Sequence, residues 1–269
     1  RAEAGDELHT NFKLSSSGEY LGLIQADGTT IEYDFSPTFP QQVPDVSYGL
    51  QQSTTATTIV DAGATVKYLV PTSSANDVNE GTNPNSWIAT EFDDALWTPG
   101  TTGLGYATGT PDTYDSFIST DLQSAMFSQS PARTSVYIRI PFNVDNPADF
   151  AGLNLKMNYD DGFVAYLNGD PEAVAEALAP APNALTYQSI ATANHNDSDA
   201  IVEESFGFGS SLLNVGENVL CIHGLNRATN SSDALFLPKL EGLTVGGTSM
   251  ASYFTSATPG SANVGGSSA

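Results

Sequence analysis

The sequence predicts an all-β protein organised as an antiparallel β-sandwich. Short runs rich in Val, Ile, Thr, Tyr and Phe recur from Leu8 to Leu243, and Gly, Pro, Asn and Asp separate them, which is typical of strands joined by turns. Helix signals are confined to a few places. The clearest is 171–178, where Asp170 is suited to cap a helix and Pro171 to occupy its first position.

The first unit, residues 1–50, contains three short predicted strands. These are 11–14, 20–25 and 29–35, and the turn Ala26-Asp27-Gly28 joins the last two as a hairpin. Three such strands cannot close a sandwich or cover both faces of their own sheet. Their apolar side chains could be covered by the second unit, by an upstream segment or by strands of a neighbouring copy. We expect cover from outside this chain for Leu14, Leu21, Leu23, Ile31, Tyr33 and Phe35.

A break in composition separates this unit from a second one. The stretch near 48–58 is small and polar and has no apolar periodicity, which predicts a linker over 51–57. The second unit spans 58–245, and residues 246–269 lack apolar density and are predicted to form a linker-like tail. The strongest strand signals of the second unit are 135–144, 153–159, 163–167, 218–225 and 234–240.

Charge and composition narrow the classes of partner. The 269 residues include 8 Lys and Arg against 31 Asp and Glu, a formal charge of -23, which argues against nucleic acid and anionic membrane surfaces as partners. Charged residues make up only 14% of the chain, and small polar residues take their place, as in secreted or cell-surface β-rich proteins. Cys221 is the single cysteine, so no internal disulfide can form.

Residues 8–49 carry a set of motifs that resembles the closing strands of a lamin-tail-like domain. That family is an immunoglobulin-like sandwich found in large secreted bacterial proteins. Its early strands, with acidic and tryptophan-containing stretches, have no counterpart in this sequence, so the resemblance implies an incomplete immunoglobulin-like sandwich. The residues that carry it are Phe12-Lys13-Leu14, Ser17-Gly18-Glu19, Leu21, Leu23, Asp27-Gly28 and Ser47-Tyr48-Gly49.

The second unit resembles a galactose-binding-like jelly roll. In secreted proteins of this kind the module often follows a lamin-tail domain and precedes a domain similar to the CotH kinases of spore coats. Such jelly rolls serve as sugar-binding modules, as spacers or as accessory domains of hydrolases. The residues that carry the resemblance are Trp87, Phe92-Asp93-Asp94, Trp97, Gly103-Leu104-Gly105-Tyr106, Tyr137-Ile138-Arg139, Tyr159-Asp160-Asp161-Gly162-Phe163, Tyr166-Leu167-Asn168-Gly169, Asn218-Val219-Leu220 and His223-Gly224-Leu225-Asn226.

Two adjacent acids, Asp160 and Asp161, lie in the turn between two strong strands. Ca²⁺ accepts about six to eight oxygen ligands, and a similar Asp-Asp turn carries calcium in the otherwise distinct PA14-type lectins. We therefore predict a calcium or sugar-hydroxyl site at these residues. The alternative is that both side chains cap the turn by accepting backbone hydrogen bonds. Elsewhere in the chain, the polar loop His195-Asn196-Asp197-Ser198-Asp199 could also supply calcium oxygens, and the alternative for it is a solvated loop.

A second group of polar residues surrounds the last strong hairpin. His223, Asn226 and Arg227 follow a buried strand, and Asp233 begins the next one. An imidazole, an amide, a cation and a carboxylate suit a polyhydroxylated ligand, and the rings of Trp97 or Tyr106 could stack on a sugar. The alternative is that His223 and Arg227 satisfy buried polar groups and pair with Asp233. For Trp87 and Trp97 the alternative is a place in the core or in a lid over it.

Enzyme signatures are absent from the sequence. It has no Gly-x-Ser-x-Gly elbow, no His-x-x-x-His zinc pair and no phosphate-binding Gly-rich loop. The leading hypothesis is therefore a non-catalytic, extracellular carbohydrate-binding module with calcium as candidate cofactor. One alternative is a structural subunit of a matrix or filament that self-associates through the open sheet edge of residues 1–50. Another is an accessory domain of a polysaccharide-degrading enzyme.

Overall fold

The computed structural model describes residues 13–40, 46–51, 53–78, 86–109, 114, 116–246 and 250–254. Most of these residues form strands or the turns between them, which confirms the all-β prediction. The strands are β1 (Leu21–Ile24), β2 (Ile31–Phe35), β3 (Ser47–Gln51), β4 (Thr54–Val60), β5 (Thr65–Leu69), β6 (Thr98–Thr101), β7 (Leu104–Ala107), β8 (Thr120–Asp121), β9 (Ser135–Val144), β10 (Gly152–Asp160), β11 (Gly162–Leu167), β12 (Ala175–Ala177), β13 (Glu204–Phe208), β14 (Gly216–Leu225), β15 (Asp233–Val245) and β16 (Met250–Phe254).

Helical segments are short. One α-helical turn, α1, spans Asp197–Ala200. The 3-10 turns are Ser74–Asn76, Ser86–Ile88, Pro147–Asp149, Pro182–Ala184 and Ser210–Leu212.

The described residues form two compact units, 13–51 with 250–254 and 53–246. In the first unit β1 and β2 form an antiparallel hairpin, and β3 pairs with β16. Asp27 fixes the hairpin turn, because its Oδ1 accepts the backbone N–H groups of Thr29 and Thr30, each at 2.9 Å. The predicted hairpin is thus confirmed.

The second unit is a sandwich of two six-stranded sheets. The first sheet has the order β13-β10-β15-β7-β8, with β4 also paired to β15, and the second has the order β12-β11-β14-β9-β5-β6. From β9 onward the long strands alternate between the two sheets, which is the winding of a jelly roll. The jelly-roll sandwich expected for this unit is therefore confirmed.

Three connections cross between the sheets at one end of the sandwich. Asp160 ends β10 in the first sheet and Gly162 begins β11 in the second. The connection from β14 to β15 crosses back beside it, and the long connection from β12 to β13 crosses at the same end. The polar residues of three separate segments are therefore brought together there.

Alternation along the strands fills the space between the sheets. From β9 onward the inward side chains include Ile138 and Ile140 on β9, Leu155 on β10, Ile222 on β14 and Phe236 on β15, all fully buried. The outward-facing residues Tyr137 and Arg139 on β9 and Val219 and Cys221 on β14 are also buried, so both faces of these strands are covered.

The segment around Trp87 and Trp97 covers this outer face of the second sheet. Trp87 packs on Tyr137, with ring centroids 5.0 Å apart, and on Trp97, at 6.4 Å. Arg139 anchors the segment, since its guanidinium donates to the carbonyls of Trp87 and Ala89 and pairs with Asp94 at 2.8 Å.

The structure corrects three predictions about local organisation. The stretch 51–57 is not a simple linker, because β4 begins at Thr54 and pairs with β15. The predicted helix 171–178 is wrong, because β12 lies there as an edge strand on β11. Part of the predicted tail is a strand, β16, whereas 247–249 and 255–269 lie outside the described residues, as do positions 11 and 12 of the first predicted strand.

Within the described part of the chain, no helix is long and apolar enough to cross a membrane.

Candidate functional site

A polar cleft of about 570 Å³ opens at the end of the sandwich where the three connections cross. We call it the acidic cleft, because four carboxylates and one guanidinium line it. Its wall residues are Asp160, Asp161, Asn194, His195, Asn196, Asp197, Arg227, Ala228, Asn230, Ser231, Ser232 and Asp233.

Asp161 joins two of the loops that form the cleft. Its Oδ1 accepts the backbone N–H of His195 at 3.0 Å, and its Oδ2 accepts the backbone N–H of Arg227 at 2.7 Å. The carboxylate is almost fully buried. A buried carboxylate that accepts backbone N–H groups fixes the loops that donate them, so Asp161 sets the width of the cleft.

His195 is held against the strand below it. Its ring stacks on Tyr159 with centroids 4.3 Å apart and planes inclined by 16°. Its Nδ1 lies 2.8 Å from the Tyr159 carbonyl oxygen. The wall formed by the loop at His195 is therefore tied to β10 by backbone and side chain together.

Asp160 is buried deeper in the same corner. The hydroxyl of Tyr114 donates to its Oδ2 at 3.0 Å. Burial raises the pKa of Asp160 well above its ordinary range, and the hydrogen bond and charge of Asp161 and the charge of Asp233 add to this effect. The pair Asp160 and Asp161 therefore resists carrying two negative charges.

Buried amide and hydroxyl groups support the loop from Arg227 to Ser232. The Asn226 amide donates to the Asp233 carbonyl oxygen and to the Tyr106 hydroxyl, each at 2.9 Å. The Tyr106 hydroxyl in turn donates to the Ser231 carbonyl oxygen at 3.2 Å. These bonds hold the loop from beneath, so its polar groups are presented to the cleft on a fixed backbone.

Of the predicted site residues, the structure brings Asp160, Asp161, Arg227 and Asp233 to one cleft. The two acids of the turn therefore share an end of the sandwich with the hairpin residues Arg227 and Asp233. The capping role weighed for the acids is also present, because Asp161 accepts two backbone hydrogen bonds.

The other four predicted ligand contacts need correction. Trp97 is only 7% exposed, and it packs on Trp87 and Phe92 rather than lining the cleft. Tyr106 and Asn226 lie beneath the cleft and bond to its backbone. His223 is fully buried, with its ring 4.3 Å from that of Tyr137 and its Nε2 3.0 Å from the Ser135 hydroxyl.

Sequence reasoning missed several wall residues. Asn194, Asn230, Ser231 and Ser232 line the cleft but belong to loops without a recognisable motif. Tyr114 was missed because it is distant in sequence from every other member of the site. Only the topology could have indicated these residues. The loop before α1 and the loop between β14 and β15 both lie at turns that neighbour the Asp160–Asp161 turn.

The predicted calcium site is not supported by a ligand set. Among the described residues, no three His, Cys, Asp or Glu side chains converge as a metal site would require. Both oxygens of Asp161 accept backbone N–H groups, and one oxygen of Asp160 accepts from Tyr114. Calcium binding at Asp160 and Asp161 stays a prediction.

No family model and no curated protein matches this chain. Similar solved structures include Bacteroides uniformis β-glucuronidase and a calcium-binding mutant of Bacteroides uniformis β-glucuronidase 2. In each case the identity is 14%, the TM-score is 0.37, and the match covers 71% of this chain and 18% of the other. This chain thus matches a small part of those proteins, and the resemblances to lamin-tail-like and galactose-binding-like domains stay predictions.

Proposed function

We propose that this chain is a non-catalytic glycan-binding module of a secreted or cell-surface protein, and that the acidic cleft is its binding site. The observation that carries the proposal is the concentration of polar groups in one preformed cleft. Its volume of about 570 Å³ is within the range of small-molecule sites, roughly 300 to 1,000 Å³.

The chemistry of the wall suits sugar hydroxyls. Carboxylates accept hydrogen bonds from hydroxyls, serine hydroxyls donate and accept, and asparagine amides do both. The side chain of Arg227 lines the cleft, and among the described residues it has no carboxylate within ion-pair distance. Its donors are therefore available to a ligand.

Charge selects among glycans. Four carboxyl groups and one guanidinium line the cleft, and the whole chain carries a formal charge of -23. This field disfavours sulfated and uronic polymers and leaves neutral polysaccharides as the preferred ligands.

The hydrogen bonds that the two buried acids already make favour sugar binding over sugar hydrolysis. Asp161 uses both oxygens to hold the loops, and Asp160 is bonded to Tyr114. In the proposed module these carboxyl groups shape the cleft, and the exposed amides, hydroxyls and Arg227 contact the sugar.

The proposal is tested by glycan-array screening followed by calorimetry on the Arg227→Ala variant. We expect binding to neutral glycans that Arg227→Ala weakens at least about tenfold, because a hydrogen bond from a charged donor contributes about 1.5 to 3 kcal/mol. The backbone bond from Arg227 to Asp161 is retained in this variant, so the fold should be unchanged. The matched control is Lys13→Ala, which removes the same charge from the first unit.

Two outcomes would contradict the proposal. One is the absence of binding to any glycan, and the other is strong binding to a sulfated glycan that does not require a metal. Running the same titrations in Ca²⁺ and in chelator tests the calcium prediction, because a bound ion raises the melting temperature by linkage. Identical melting curves and affinities would leave Asp160 and Asp161 as turn-capping residues only.

A second candidate function is self-association through the hairpin of β1 and β2. Four of the six side chains that were expected to lack cover within this chain are exposed, namely Leu14, Leu23, Ile31 and Tyr33, and Leu21 and Phe35 are half-buried. Among the described residues this hairpin pairs with no third strand. An open edge with apolar side chains is suited to strand addition from a second copy, as in a structural subunit.

A further inference from the structure

A second cleft lies beside the acidic cleft and shares a loop with it. Its volume is about 230 Å³, and we call it the tyrosine cleft. The loop between β14 and β15 contributes to both clefts, with Thr229 in the tyrosine cleft and its neighbours Ala228 and Asn230 in the acidic cleft. The residues that line the tyrosine cleft are Pro131, Ala132, Arg133, Thr134, Tyr187, Gln188, Ile190 and Thr229.

Hydrogen bonds to backbone groups, from side chains and from other backbone groups, fix the walls of the tyrosine cleft. Thr134 donates through its hydroxyl to the Ser189 carbonyl oxygen at 3.1 Å, and its own carbonyl oxygen accepts the Asn226 N–H at 2.7 Å. The N–H of Tyr187 donates to Asp77 Oδ2 at 2.7 Å. The cleft is therefore built on the same supported backbone as the acidic cleft.

Arg133 has donors that the protein itself does not use. Its Nε is buried without a hydrogen-bond partner, and among the described residues no carboxylate lies within ion-pair distance of its guanidinium. Arg139 shows the contrast, because its guanidinium donates to Asp94 and to the carbonyls of Trp87 and Ala89. A buried donor without a partner is costly, and an acceptor that reaches it after a small shift of the guanidinium would remove that cost.

Tyr187 gives the tyrosine cleft a phenol ring, and no such ring lines the acidic cleft among the described residues. No aromatic ring other than that of His195 lines the acidic cleft among the described residues, whereas the half-buried Tyr187 lines the tyrosine cleft next to Ile190. An aromatic face beside a hydrogen-bond donor is the combination that orients a sugar ring, because the ring packs on its apolar face and the donor meets its oxygens.

We infer that the tyrosine cleft is a second subsite, which binds the next units of a neutral oligosaccharide whose first unit occupies the acidic cleft. Tyr187 stacks on a sugar ring there, and Arg133 donates to its oxygens. The inference rests on the proposed function, and it adds a preference for chains over single sugars. Residues outside the acidic cleft, Tyr187 and Arg133, would then determine the preference for longer ligands.

The test uses calorimetry with ladders of one to six units of β-1,4-linked galacto-, manno-, xylo- and gluco-oligosaccharides. We expect affinity to rise with length, and Tyr187→Ala and Arg133→Ala to weaken the longer ligands by about three- to tenfold while leaving the shortest bound fragment unchanged. Tyr187→Phe keeps the ring and should retain wild-type affinity. Lys13→Ala is the control for the loss of one positive charge.

A resonance of Arg133 gives a readout that does not depend on affinity. In ¹⁵N-edited NMR spectra the Nε–H signal, assigned through Arg133→Lys, should shift with the long oligosaccharides and not with the monosaccharide. Equal effects of Tyr187→Ala on ligands of all lengths, or no effect on any, would overturn the second subsite while leaving the proposed function intact. Absence of binding by every ladder would overturn both.

Discussion

Asp161 shows how one buried side chain organises a site. Its two oxygens accept hydrogen bonds from loops that are 34 and 66 residues away in sequence, so one carboxylate connects two walls of the cleft. His223, in contrast, was expected to touch ligand and instead fills the core beside Tyr137. Both residues are polar and end up buried, and only their partners distinguish a site residue from a core residue.

The buried imidazole of His223 predicts how the free energy of unfolding depends on pH. Burial lowers its pKa to about 3, because the charged imidazolium would lose its hydration. The unfolded chain takes up a proton as pH falls below about 6.5, whereas the folded chain does not until about 3. The contribution of His223 to stability is therefore complete above pH 6.5 and is lost progressively as pH falls toward 3.

We expect His223→Gln to remove this dependence. Denaturant unfolding of the wild type and the variant should differ by a constant free energy above about pH 7, and the difference should shrink by up to about 1.4 kcal/mol per pH unit below about pH 6.5. The raised pKa of Asp160 has the opposite effect, because the contribution of Asp160 to stability is lost as pH rises through this pKa. This effect is the same in the wild type and in the variant, so it cancels in the difference. A difference that stays constant down to about pH 4 would contradict the buried, neutral imidazole.

At the scale of elements, the long strands were predictable and the covering segments were not. The predicted strand 135–144 coincides with β9, since alternating apolar residues and flanking turns mark its ends. The predicted helix 171–178 failed because the cap at Asp170 and the alanines are local preferences, whereas pairing with β11 is a tertiary contact. Trp97 was misplaced for the same reason, because the sequence does not reveal that the second sheet is covered on its outer face.

Close strand packing at Gly105 on β7 gives a second prediction. A Cβ atom at this position would lie 2.2 Å from the Ala234 carbonyl oxygen on β15, and the strand cannot move without losing its pairing. We expect Gly105→Ala to lower the free energy of unfolding by about 1 to 3 kcal/mol in urea denaturation.

Gly207→Ala is the matched control for this substitution. Gly207 also lies in a strand of the first sheet, but a Cβ atom added there would be 4.0 Å from its nearest neighbour, the Leu153 carbonyl oxygen. The free energy of unfolding should therefore change by less than about 0.5 kcal/mol. Equal effects of the two substitutions would show that β7 and β15 are not packed as described.

At the scale of the whole molecule, two surfaces differ in character. The acidic cleft is polar and supported from beneath, whereas the β1–β2 hairpin exposes apolar side chains on a strongly acidic chain. Composition alone predicted the charge and its consequences for partners. The location of the cleft required the sheet crossings, which bring distant loops to one end.

The hairpin gives a prediction for association. Leu23 is 65% exposed and Ile31 53%, and we expect sedimentation velocity to detect self-association that increases with salt, because salt screens the repulsion between copies. The double variant Leu23→Gln and Ile31→Gln should weaken association at least about tenfold, since each buried side chain contributes about 1.5 to 3 kcal/mol. The control Leu96→Gln, at a leucine 99% exposed in the second unit, should have no effect. A wild-type protein that is monomeric at all concentrations and salt levels would contradict the assembly role.

Glycan binding in the acidic cleft can be tested by a backbone amide chemical-shift map, recorded while a neutral oligosaccharide is titrated into the full chain. The amides of His195 and Arg227 report on the acidic cleft, because both donate to Asp161. We expect these two signals and those of Ser231, Ser232 and Asp233 to shift saturably with the ligand. Saturable shifts confined to other surfaces, such as the groove lined by Lys67 and Glu217, with His195 and Arg227 unchanged, would contradict binding in the acidic cleft.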